Sequence, residues 1–150
     1  MSNGDIYRET ILDHYRNPRN KGRLSNHDIS VQDSNPLCGD EIEIHLKVEA
    51  NMIKDIKFEG RGCAISQASA SQLTEMVINK PLMFAMNLSK GDIFENMGLT
   101  NLGPARVKCA LLSLKVLKMG VVDIMLIGSR TWPKNYKINL LCISAPSMKT

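Results

Sequence analysis

The sequence lacks most of the signals that would place it quickly. Its four cysteines, Cys38, Cys63, Cys109 and Cys142, include no CxxC pair. That excludes the paired spacings of zinc fingers and thioredoxin-like redox motifs. Only 5% of the chain is aromatic and no basic stripe with interleaved aromatics occurs, which argues against nucleic-acid binding. The net charge of +4 does not reverse this, because Arg130, Lys134, Lys137 and Lys149 against Asp123 place +3 of it in residues 121–150. No apolar run approaches the roughly 20 residues of a membrane-spanning helix, so no membrane partner is expected. The opening "MSNGDIYRET" has no basic start followed by an apolar stretch, so it does not read as a secretory signal. The expected location is therefore cytoplasmic. There, spaced cysteines serve metal or sulfur chemistry more often than disulfides.

What is present fits one ordinary domain with one core: 150 residues, 43% of them hydrophobic, with no internal repeat. Apolar and ring residues recur at spacings of three and four in "IYRETILDHYR", which predicts a helix over Ile6 to Arg16 that stops before Asn17-Pro18. Ile29 to Gln32 reads as a short strand. "EIEIHLKVE", Glu41 to Glu49, alternates strictly, with Ile42, Ile44, Leu46 and Val48 on one face and His45 on the polar face. "ANM" reads as a hairpin turn and Ile53 to Phe58 as the return strand. The parity slip between Ile53 and Ile56 predicts a bulge. "EGRGC" then leads into a helix that Lys80-Pro81 closes, and Asp92 to Asn96 reads as a short helix. "PARVKCALLSLKVLKM", Pro104 to Met119, carries proline at its start, with Gly120 expected just past its end. This order predicts an α+β fold: a small antiparallel sheet of about three strands with helices packed on one face. Residues 1–120 are taken as the domain and residues 121–150 as a divergent C-terminal extension.

The cysteine positions carry the chemistry. Cys38 precedes one strand and Cys63 follows its partner, so an antiparallel hairpin places both at the same end of the sheet. A helix crossing that end would add Cys109. Cys63 opens a helix, with Arg61 close in sequence, and both features favour the thiolate. Three thiolates with the Asp40 carboxylate would complete a tetrahedral zinc shell. The plainer readings stand beside this one. Cys109 on an Ala/Leu-rich helix fits the core, Cys38-Gly39-Asp40 fits a turn, and Cys142 between Leu141 and Ile143 reads as a buried hydrophobe. His14, His27 and His45 are placed for packing or solvent rather than for the cysteine end.

Four stretches, "YRETILDHYRNPRNKG", "NPLCGDEI", "FEGRGCAISQASAS" and "PARVKCALL", together resemble the NifU N-terminal/IscU/SufU family of iron–sulfur assembly proteins across about residues 6 to 119. The resemblance implies a SufE/NifU-like fold and a shared site at Cys38, Asp40, Cys63 and Cys109 for Zn2+ or a [2Fe–2S] cluster. Lys108 before the third cysteine looks like the SufU type, where IscU-like chains carry histidine. The segment from Cys63 to Cys109 is nearer IscU length. The implied partners are a cysteine desulfurase and apo iron–sulfur acceptor proteins. "LGPAR", Leu102 to Arg106, replaces the LPPVK motif that recruits an Hsp70-type chaperone, so that partnership is not carried over. Two functions follow from the resemblance: a scaffold for nascent clusters, and a zinc-dependent acceptor of persulfide sulfur at Cys109 or Cys38 with Lys108 in support. A structural zinc module without transfer chemistry is the alternative.

Overall fold

The computed structural model describes residues 3–99 and 103–128. The order is helix α1 (Asn3–Arg16), strands β1 (Ile29–Asn35), β2 (Asp40–Glu49) and β3 (Met52–Arg61), then helices α2 (Ala64–Val77), α3 (Leu82–Asn87), α4 (Lys90–Met97) and α5 (Pro104–Gly128). The strands form one antiparallel sheet in the order β1-β2-β3. This is the expected α+β architecture.

The register follows from the sequence pattern. Ala50 and Asn51 both take positive φ, 52° and 62°, and make the tight turn that joins β2 to β3. The bulge that the parity slip predicted lies where Lys47 and Val48 on β2 face Asp55 and Ile53 on β3, leaving Lys54 as the extra residue. Beyond it Ile53 and Ile56 both face inward and are fully buried. With Ile42, Ile44, Leu46 and Phe58 they form the apolar face of the sheet.

Helices α2 and α5 lie on that face, and α1 and α4 pack outside them. The small residues of α2 let it sit buried along most of its length. Ser69 satisfies its hydroxyl at the crossing with α5, donating to the Ala110 carbonyl at 2.6 Å and lying 3.2 Å from Ser113. The loop after α1 closes over the other side of β2. There His45 accepts the Leu24 N–H at 3.1 Å and its ring lies 4.7 Å from that of His27.

Several expectations need correction. β1 and β3 run further than predicted, to Asn35 and Arg61. α2 stops at Val77 rather than at Lys80, because Ile78 is extended and Asn79 has φ of 64°. α3 carries no strong sequence signal and was not expected. α4 is longer than predicted, fixed by a capping box between Ser89 and Asp92 and ended by left-handed Gly98. Most tellingly, α5 does not end at Gly120 but passes through it to Gly128. A Cβ at Gly120 would lie 2.9 Å from Val31 Cγ2 and 3.2 Å from Leu46 Cδ1, so this glycine lets the helix approach the sheet rather than terminating it. His45, expected on a solvated face, is 1% exposed beneath the loop. Cys142 and the rest of residues 129–150 lie outside the described residues, as does Leu102.

Candidate metal centre

The β1–β2 turn, the link from β3 into α2, and α5 meet at one end of the sheet. Pairing of Asn35 with Asp40 closes the β1–β2 turn that holds Cys38, and pairing of Glu41 with Arg61 brings Gly62 and Cys63 alongside Asp40. The turn is built by Asn35, whose carbonyl accepts the Cys38 N–H at 3.2 Å and whose Oδ1 accepts the Leu37 N–H at 3.3 Å. Gly39 follows with φ of 70°, a left-handed conformation that a side chain would strain.

Asp40 is the centre of the arrangement. It is fully buried, and its Oδ1 accepts the Cys63 N–H at 2.9 Å while Oδ2 lies 3.9 Å from Cys63 Sγ. Gly62, with φ of 145°, makes room for it, since a Cβ at Gly62 would run into the Asp40 carboxylate. Cys63 is the N-cap of α2, as expected from its place in the sequence, and makes no side-chain capping bond, which leaves its sulfur free for the site.

Cys109 comes in from α5. Its Sγ is 3.2 Å from Cys38 Sγ, and the Cys38 sulfur lies 3.9 Å from the Ala105 carbonyl at the start of that helix. The Cys38 and Cys109 sulfurs and an Asp40 carboxylate oxygen all lie within 4.8 Å of one another. Exposure separates the thiols. Cys38 and Cys63 are half-buried, whereas Cys109 is 2% exposed. Burial pushes the Cys109 thiol well above its usual range, helped by its hydrogen bonds to Asp40, Cys38 and Cys63, so it holds a proton when no cation shares the site.

The structure thus brings Cys38, Asp40 and Cys109 into one cluster, with Cys63 beside it through its contacts to Asp40. Three sulfurs and one carboxylate oxygen at one end of the sheet are a donor set that suits zinc or iron. Lys108 is exposed, one residue before Cys109 on α5. The Arg61 guanidinium turns to Glu41 at 3.3 Å, so a pairing with Cys63 is not what its charge serves. Asn35, which shapes the Cys38 turn, was missed by sequence reasoning. The Asn-Pro step before the cysteine was its signal.

A second cluster looks similar but is closed to metal. Glu43, His45 and Glu59 place two carboxylates and a ring nitrogen within 4.8 Å of one another. Arg23 occupies both acids, 2.7 Å from Glu59 and 3.5 Å from Glu43. Because His45 Nδ1 accepts the Leu24 N–H, the neutral ring carries its proton on Nε2 and has no lone pair to offer there.

The chain is similar to known proteins over most of its length. The family model of the NifU-like N terminal domain matches residues 6–128. The chain is 43% identical to the zinc-dependent sulfurtransferase SufU of Bacillus subtilis, over 77% of this chain and 89% of that protein. It is 40% identical to the iron–sulfur cluster assembly scaffold protein IscU of Aquifex aeolicus, over 80% of this chain and 76% of the relative. A crystal structure from Fervidobacterium islandicum AW-1, assigned as an iron–sulfur cluster assembly scaffold for the SUF system, superposes with a TM-score of 0.67 at 30% identity. The match covers 80% of this chain and 99% of that one.

Proposed function

We propose the function from one premise: this chain belongs to the family of NifU-like N-terminal domains. It is an iron–sulfur cluster assembly protein. It accepts persulfide sulfur from a cysteine desulfurase in a zinc-dependent manner, serves as a scaffold for nascent [2Fe–2S] clusters, or does both at one site. The observation that supports this is the cluster of Cys38, Asp40 and Cys109 at one end of the sheet, with Cys63 held against Asp40 beside it.

Those four residues would hold a zinc ion. Bound there, zinc keeps thiols deprotonated and ordered. The remaining work belongs to the chain. Cys38 is the acceptor, because it stands on a glycine turn and is half-exposed, whereas Cys109 is shut in by α5. Next to it Leu37 is 78% exposed, an apolar contact for a docking partner. Lys108 lies on the exposed side of the same helix turn, placed to attract negative charge during transfer.

Asp40 favours the scaffold reading. An oxygen among thiolates is the weaker ligand for a cluster and is easier to displace at release. The half-exposure of Cys38 and Cys63 speaks against a purely structural zinc module, whose ligands are closed off. The recipients would be apo iron–sulfur proteins of the same compartment, the cytoplasm. Among the described residues no helix is long and apolar enough to cross a membrane.

Purification without air, followed by measurement of zinc, iron and acid-labile sulfide per chain, tests the proposal. One zinc without sulfide supports sulfur acceptance, and iron with equal sulfide supports the scaffold. No metal under either condition would defeat both.

A further inference from the structure

We propose that Cys109 is the thiol that discharges sulfur from Cys38 as hydrogen sulfide. This rests on the reading of Cys38 as the persulfide acceptor. Once Cys38 carries a persulfide, two reactions are open to a neighbouring thiol. Attack on the outer sulfur moves that sulfur to the neighbour. Attack on the inner sulfur, Cys38 Sγ, makes a disulfide and expels the outer one.

The geometry selects the second. Cys109 Sγ already lies 3.2 Å from Cys38 Sγ, the inner sulfur, within the separation of about 3–3.5 Å from which bonds form. Cys63 lies outside the group of atoms within 4.8 Å of one another that holds the Cys38 and Cys109 sulfurs, and its own sulfur is 3.9 Å from Asp40 Oδ2. Cys109 is 2% exposed, so persulfides in solution or on a partner do not reach it, and its electrophile is the one inside the molecule.

The step balances without an external oxidant. The Cys38 S–SH bond breaks and the Cys38–Cys109 bond forms. The outer sulfur takes the electron pair and is reduced to sulfide, and the two cysteines are oxidised together to a disulfide. The Cys109 proton leaves with that sulfur as H2S. An external dithiol then reduces the disulfide and resets the site. With Cys109 engaged as a metal ligand the step is closed. Metal occupancy therefore decides whether sulfur is carried onward as persulfide or released as sulfide.

The test uses metal-free, reduced protein and inorganic polysulfide as the probe, with alkylation and peptide mapping at intervals. In the unmutated protein the added sulfur on Cys38 should give way to a Cys38–Cys109 disulfide. Cys109→Ser and Cys109→Ala should keep the sulfur on Cys38 at least about tenfold longer, given the effective molarity of a thiol held in contact. Cys63→Ser should still form the Cys38–Cys109 bond, and zinc-loaded unmutated protein should retain the persulfide. Sulfur found on Cys109, a disulfide to Cys63, no sulfur on Cys38, or equal persulfide lifetimes with and without Cys109 would each overturn the proposal. A parallel arm with a cysteine desulfurase and cysteine separates the two readings. Cys38 left unmodified by the enzyme, while polysulfide still yields the disulfide, means that the acceptor reading fails and the discharge chemistry stands.

Discussion

Asp40 and Gly62 act as one unit. The carboxylate fits beside Cys63 because position 62 has no side chain. Gly62→Ala should therefore destabilise the fold by about 1–3 kcal/mol, the usual range for forced overpacking, and weaken zinc binding in parallel. Urea unfolding and a chelator competition read the two effects, and loss of one without the other would break the link. Asp40→Ala removes the oxygen ligand and should lengthen the lifetime of a bound cluster, followed by its visible absorbance. Faster loss would end the release role. His14 offers a separate check away from the site. It is 7% exposed and lies 2.7 Å from Ser71 Oγ, tying α1 to α2. Burial, with the Arg19 charge, holds its pKa below the ordinary 6.5, against the opposing pull of Glu75 and Asp13. The unfolded chain then binds the proton more readily. Stability is complete above about pH 6.5 and falls as pH drops from there through the lowered folded value. His14→Gln should flatten that slope in unfolding experiments.

Among the elements, α5 is the one whose reading changed. Glycine after an apolar helical stretch looks the same in sequence whether it ends a helix or packs against a neighbour. Only the contacts to Val31 and Leu46 tell the two apart. Gly120→Val should destabilise the protein by about 1–3 kcal/mol through overpacking, measured by thermal or urea unfolding. A change within about 0.5 kcal/mol of neutral would contradict the packing role. In the same way, alternation in β2 gave Ile42, Ile44 and Leu46 correctly. It misjudged His45 because strand periodicity does not register a loop folding back from residues 17–28.

For the whole molecule, the four proposed ligands come from the β1–β2 turn, the start of β2, the cap of α2 and the distant α5, so ion binding at them would be coupled to folding. Free zinc a hundredfold above its Kd should add about 2.7 kcal/mol of apparent stability, and a chelator should remove it. The thiol of Cys109, held protonated by burial, must lose its proton on binding. Zinc uptake should therefore release protons and weaken as pH falls, which calorimetry in buffers of different ionisation enthalpy would measure. Binding unaffected by pH between about 6 and 8 would exclude Cys109 as a ligand.

The sequence by itself determined the sheet, while the proposed donor set as a whole came with the family resemblance. Strict alternation and the turn after it impose an antiparallel hairpin, and that hairpin places Cys38, Asp40 and Cys63 at one end. These are local constraints, set by backbone geometry over a few residues. The tertiary structure decided the rest: that α5 runs on past Gly120, that Cys109 is shut in while Cys38 is not, and that their sulfurs meet at 3.2 Å. Burial and contact between distant segments depend on how helices pack across a sheet, and no spacing of residues along the chain encodes that directly.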